Sequence, residues 1–354
     1  MTARAFITGL EATTLAAAER GFLREAAPWG VILFRRNVET PEQVRRLVDE
    51  ARDALGWRAP VLIDQEGGRV QRLGPPHWPR YPAGAAYDAL YRGNSALGLA
   101  TARLGARLIA TDLAELGIDV DCLPLADVPV PGADNVIGDR AYGDTPAQVA
   151  ALARAVADGL ADAGVLPVLK HIPGHGRAGA DSHLRLPVVD TPRAELEATD
   201  FAAFRPLADL PLAMTAHVVF SAIDDLAPAT TSATMITEVI RGLIGFQGLL
   251  MSDDVSMGAL SGTLGARTRA ALGAGCDMVL HCNGAMAEMQ AVAADAPVLA
   301  GQALSRAEAA LAARKEARAL DVPAARTAFQ QALEGRGEAL VAMGLMAPGA
   351  GAVA

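Results

Sequence analysis

Cysteine is scarce: three occur in 354 residues, Cys122, Cys276 and Cys282. The number is odd, no CxxC pair is present, and each thiol lies in an apolar, strand-like run. That excludes a disulfide framework and suits buried free thiols in a reducing compartment. A basic excess is also lacking, since the formal net charge is −9. A polyanion would be repelled, so neither nucleic acid nor an anionic membrane surface is an expected partner. A small anionic substrate is not excluded, because it responds to the field of its own pocket. No uncharged apolar run reaches the ~18 residues of a membrane helix. The opening MTARAFITGLEATT is broken by Glu11 and has no cleavage site of a secretory signal. The cytoplasm is the expected location. No pattern specifies an oligomeric state.

Apolar residues are abundant, at 51% of the chain, and they fall into short runs. Strands are expected near 5–10, 31–36, 61–65, 119–128, 165–171, 212–218, 248–254 and 277–282. Each is nearly continuously apolar, as parallel strands buried on both faces are. Alanine-rich amphipathic segments lie between them. TPEQVRRLVDEARDAL (40–55) and TPAQVAALARAVADGLADAG (145–164) both open with Thr as a potential cap and Pro at the first helical position. Eight strands alternating with helices predict a single-domain (β/α)₈ barrel over residues 1–343. Extra C-terminal helices from about 301 are expected to cover it, and 344–354 to form a disordered tail. A doubly wound sheet is the alternative, but no GxGxxG opens a helix after the first strand.

Charged and imidazole groups gather at the C-terminal ends of the expected strands, where barrels place active sites. DQEGGRVQR follows the third strand and carries Asp64, Glu66, Arg69 and Arg72. An aspartate that accepts hydroxyl protons and an arginine suit a sugar site; an internal salt bridge is the bland alternative. Asp127 ends the fourth strand, and NVIGDRAYG beyond it carries Arg140. KHIPGHGRAGADSH (170–183) follows the fifth and holds three of the six histidines. Pro173, Gly174 and Gly176 prevent the helix that HxxxH metal binding requires, no HExxH occurs, and no metal is expected. Lys170 at a buried strand end is either a Schiff-base nucleophile or, with carboxylates close by, a charged donor. Asp181 is placed to hold one ring nitrogen of His183, leaving the other free to exchange protons. The glycines at 174, 176 and 179 would let this loop move, and His175 would shape it by bonding backbone. His217 either lines the pocket or packs. In SDD (252–254) a strand-end carboxylate serves as nucleophile, base or ligand, or caps the next helix.

Taken together, VILFRRN, DQEGGRVQR, NVIGDRAYG, KHIPGHGRAGADSH, TAHV and MSDDVSM resemble the family 3 glycoside hydrolases. Within that family they are most similar to the single-domain bacterial β-N-acetylhexosaminidases of peptidoglycan recycling. The resemblance runs in order from about residue 5 to 285, with Ile172 where Phe is usual. It implies Asp253 as nucleophile, His183 as acid/base with Asp181 as its partner, and no metal or organic cofactor. It implies that Asp64, Arg72, Arg140, Lys170 and His171 bind an N-acetylglucosamine unit. The implied substrate is GlcNAc linked to 1,6-anhydro-N-acetylmuramic acid, with or without peptide. A histidine in the acid/base post also opens a phosphorylase alternative, since a neutral imidazole does not repel phosphate as a carboxylate does. A Schiff-base aldolase centred on Lys170 is the remoter alternative.

Overall fold

The computed structural model describes residues 2–347. Eight parallel strands close into a barrel, each paired with its neighbours in sequence. They are β1 (Arg4–Gly9), β2 (Pro28–Leu33), β3 (Val61–Ile63), β4 (Val120–Asp121), β5 (Leu166–Ile172), β6 (Leu212–Thr215), β7 (Leu249–Asp254) and β8 (Met278–His281). The (β/α)₈ expectation therefore holds, and the doubly wound alternative does not. β4 is shorter than the expected 119–128. Pro124 has no N–H for the ladder, so regular pairing stops and resumes only as a single bridge between Leu125 and Lys170.

Alternation along the strands divides the core. Ile7, Ile32, Leu62, Val168, Met214, Met251 and Leu280 fill the barrel interior. Their neighbours Phe6, Val31, Ile63, Leu169, Ala213, Leu250 and Val279 face the surrounding helices. Side chains two residues on share a side. Leu62, Val168 and Met251 thus set the parity for Asp64, Lys170 and Asp253 at the upper rim.

The helix Pro41–Leu55 starts as expected, with the Thr40 hydroxyl accepting from the Gln43 N–H at 3.2 Å. The second Thr-Pro start leads into Pro146–Asp162, although Thr145 makes no side-chain cap. At the lower end, Leu299, Ala307 and Ala310 join the interior cluster, so the helix Gly301–Ala312 closes the barrel floor. The helix Val322–Leu333 packs on the flank, where Arg326 meets Asp112 at 2.6 Å. Of the segment expected as a disordered tail, 344–347 is described, and Met346 there is buried. The remainder, 348–354, lies outside the described residues. Among the described residues no helix is long and apolar enough to cross a membrane.

Candidate active site

A cavity of about 310 Å³ opens at the C-terminal ends of the strands. It is at the small end of ligand pockets, which run from about 300 to 1,000 Å³. The structure brings all eight sequence-predicted residues to its wall: Asp64, Arg72, Arg140, Lys170, His171, Asp181, His183 and Asp253.

DQEGGR folds as a tight hairpin, Gln65–Gly67 against Val70–Gln71. Gly67 and Gly68 turn it with φ of +95° and +57°, and a Cβ on Gly67 would lie 2.3 Å from the Pro82 carbonyl. Only glycine meets both demands. The hairpin delivers two carboxylates to Lys170, with its ammonium 3.0 Å from Asp64 Oδ1 and 2.6 Å from Glu66 Oε1. Arg72 holds the other oxygen of Asp64 at 3.1 Å. Arg140 grips Glu66 with two bonds of 2.9 and 2.8 Å. Burial alone pushes Asp64 and Glu66 upward, but the Lys170, Arg72 and Arg140 charges more than offset it and hold both below the usual carboxylate range. Burial likewise pushes Lys170 down, and Asp64 and Glu66 reverse the sign, so it stays a charged ammonium. A permanently charged lysine is no amine nucleophile, which removes the basis for the aldolase alternative.

Asp127 is fully buried and organises the next sector. Its Oδ2 lies 2.7 Å from His171 Nδ1, and its Oδ1 accepts the His175 backbone N–H at 2.7 Å. The tie at Nδ1 turns the His171 Nε2 edge to the cavity side. His175 departs from expectation. Its ring bonds the Ser182 hydroxyl at 3.0 Å, not backbone. The glycines of this loop also differ in role. A Cβ on Gly176 would lie 2.0 Å from the Val128 carbonyl, so glycine there permits close packing, whereas Gly179 stands in open space.

Beyond Gly179, the His183 ring is 66% exposed, and its Nδ1 lies 2.8 Å from Asp181 Oδ1. The same oxygen accepts the His183 backbone N–H at 2.9 Å. Burial raises Asp181, but the His183 backbone and ring bonds outweigh it and leave it below its ordinary value.

The two aspartates of SDD are distinguished by their bonds. Asp254 spends both oxygens on its own surroundings, accepting from Ser256 N at 3.0 Å, Ser256 Oγ at 2.6 Å and Cys282 N at 3.2 Å. Asp253 accepts only the Asp254 N–H, at 2.8 Å on Oδ1, which leaves Oδ2 without a partner among the described residues. Burial raises Asp253, but His217, His171 and that N–H bring it below its ordinary value. His217 is a buttress: its Nε2–H donates to the Asp254 carbonyl at 3.0 Å, and Nδ1 meets the Thr230 hydroxyl at 2.7 Å. Burial lowers its pKa.

The profile of the glycosyl hydrolase family 3 N-terminal domain matches residues 7–315. The chain belongs to glycoside hydrolase family 3. Among family 3 relatives, a β-hexosaminidase of Alkalilimnicola ehrlichii is 46% identical over 281 residues, covering 78% of this chain and 79% of its own. A β-hexosaminidase of Thioalkalivibrio sulfidiphilus is 41% identical over 278 residues, covering 77% and 79%. Native NagZ from Neisseria gonorrhoeae superposes with a TM-score of 0.82 at 33% identity, covering 98% of this chain and 99% of that one. The same protein with N-trifluoroacetyl-D-glucosamine gives 0.81 at 31% identity, covering 96% and 99%.

Phe34 and Cys282 also line the cavity and were missed by sequence reasoning, whereas Glu66, named there with either a sugar-site or a salt-bridge role, anchors two of its cations. Phe34 and Cys282 stand two residues beyond the inward-facing Ile32 and Leu280, so strand parity would have found both. Cys282 is also only half-buried, unlike the fully buried thiol expected there.

Proposed function

We propose that this family 3 enzyme is a retaining β-N-acetylglucosaminidase. It removes terminal non-reducing β-linked GlcNAc from muropeptide fragments of the GlcNAc-1,6-anhydro-N-acetylmuramic acid type, in the cytoplasm, during cell-wall recycling. The observation that carries the reading is the pairing of an ionised, half-free carboxylate at a barrel mouth with an exposed imidazole oriented by its own aspartate. The relatives named as β-hexosaminidases, and a structural neighbour studied with an N-acylated glucosamine, support the sugar.

Retaining hydrolysis needs a group that attacks the anomeric carbon and a group that moves protons at the glycosidic oxygen. Asp253 Oδ2 attacks and forms a glycosyl-enzyme ester. The imidazolium form of His183 donates the proton to the departing oxygen from Nε2. The neutral ring then takes a proton from water as that water attacks the anomeric carbon and releases Asp253. Asp181 keeps the tautomer right in both steps. The Asp64–Lys170–Glu66–Arg140 lattice and Arg72 present fixed charged acceptors and donors for sugar hydroxyls, and His171 adds an edge tied by Asp127.

The test uses p-nitrophenyl N-acetyl-β-glucosaminide with wild type and Asp253→Ala, then mass spectrometry after a 5-fluoro glycosyl trap. Loss of turnover in the variant and an adduct on the Asp253 peptide are expected. Wild-type protein with neither turnover nor adduct would sink the reading. Kinetics on the anhydromuramyl disaccharide against chitobiose test the aglycone: no preference for the former removes the recycling assignment.

A further inference from the structure

We propose that His175 and Ser182 are a positioning pair that seats the Asp181–His183 dyad over the cavity. The proposal rests on His183 being the acid/base group.

Ser182 sits between the two dyad residues, yet it is only 2% exposed, while the His183 side chain beside it is 66% exposed. Its hydroxyl is turned inward to His175 Nε2 at 3.0 Å. His175 is itself 3% exposed and is held by its backbone N–H on Asp127. Asp127 also orients His171, so one buried carboxylate sets both an edge of the sugar cavity and the root of the latch. The close approach of Gly176 to Val128 fixes that root against the segment after β4.

The crest is also held from the opposite side. The Ser182 carbonyl accepts from Ala259 N–H at 3.1 Å, and the His183 carbonyl from Gly258 N–H at 3.2 Å. Those donors belong to the loop that follows Asp253. Ser182 therefore bridges two strand ends: its side chain reaches the β5 side and its backbone the β7 side. The dyad is bracketed between nucleophile and sugar-binding edge, although its ring stands in solvent.

Burial drives the His175 pKa down to about 4, so the ring is neutral at ordinary pH and has one donor and one acceptor nitrogen. A serine hydroxyl fits either. Nδ1 has no partner among the described residues, so the only side-chain bond of this buried ring is the one to Ser182. A ring kept for packing alone would not require a hydroxyl there.

A general acid contributes about 10²–10⁴-fold only when it is correctly placed, and it matters most when the leaving group is poor. The test measures kcat/KM for N-acetyl-β-glucosaminides whose leaving groups run from 2,4-dinitrophenol to phenol. Wild type, Ser182→Ala, Ser182→Thr, His175→Gln and His183→Ala are compared. Ser182→Ala and His175→Gln are expected to stay within about 2-fold of wild type on the dinitrophenyl substrate and to lose about 10-fold or more on the phenyl one. Ser182→Thr, which keeps the hydroxyl, restores the loss. His183→Ala shows the same trend, more steeply. Equal losses on all leaving groups, or none, in Ser182→Ala would overturn the pair while the His183→Ala trend still stands. A flat profile in His183→Ala would instead remove the acid/base assignment, and this inference with it.

Discussion

Replacing Glu66 with Gln removes one negative charge from a buried ion cluster. Its carboxylate is bonded at 2.6 Å to Lys170 and twice to Arg140, and those side chains are only 2% and 11% exposed. The variant keeps the shape but leaves Arg140 without its counter-charge and Lys170 with Asp64 alone. Breaking a buried pair from one side costs about 3–5 kcal/mol, because it leaves the surviving charge uncompensated in a largely desolvated place. Unfolding entropy is about 2.1 cal/mol/K per residue, or roughly 0.7 kcal/mol/K for this length, so the melting temperature falls by about 4–7 °C. The control is Glu50→Gln, which breaks the Arg20–Glu50 pair at 3.0 Å, where the side chains are 37% and 42% exposed. Exposed pairs are worth about 0.2–1 kcal/mol, which is about 1 °C or less here. Calorimetry at neutral pH on both variants decides. Equal shifts would show that the cluster is not held by its charges and would refute the electrostatic account of the cavity wall. Glu66→Gln is also expected to lower kcat/KM, since Lys170 loses one of its two anchors.

Asp121 is fully buried with Oδ2 unpartnered, and burial pushes its pKa well above the ordinary carboxylate value. Burial of this carboxyl therefore costs stability at neutral pH, a cost that fades as pH falls toward the unfolded value of about 3.9. Asp121→Asn is expected to raise the melting temperature at pH 7 and to leave it unchanged near pH 4; no gain at pH 7 refutes this. His175, lowered to about 4, works in the opposite direction. The unfolded chain binds its proton first, so stability present above about pH 6.5 is lost as pH falls toward 4, by at most about 3 kcal/mol. Denaturant titrations of wild type and His175→Gln across that window should converge toward acid pH. Phosphate is expected to compete with water for the glycosyl-enzyme, because a neutral His183 does not repel it. GlcNAc-1-phosphate should then appear in phosphate buffer, and free GlcNAc as the sole product would rule this out.

The strands were legible because parallel strands buried on both faces leave continuous apolar runs, and all eight appear near their expected positions. β4 was overextended because apolar content says nothing about a missing N–H at Pro124. The motif residues could be read singly, but their partnerships could not. Glu66 meets Arg140 across 74 positions, and Asp127 meets His171 across 44, separations that only barrel closure brings together. The neighbouring aspartates 253 and 254 are chemically identical in sequence. What separates them is that Ser256 and the Cys282 N–H consume the second carboxylate. His175 was misread for a related reason: glycines on both sides suggested a free loop, whereas Gly176 is there to let backbones touch.

The closed floor of the barrel has a practical consequence for handling the enzyme. Arg4 enters β1 beside Val298, and the Ala3 carbonyl accepts from Leu299 N–H, next to the helix that plugs the interior. Thr2 is exposed at that same end, opposite the cavity. An enzyme coupled to a bead or electrode through this terminus would face its mouth away from the support. Substrate could then reach it as freely as it does in solution.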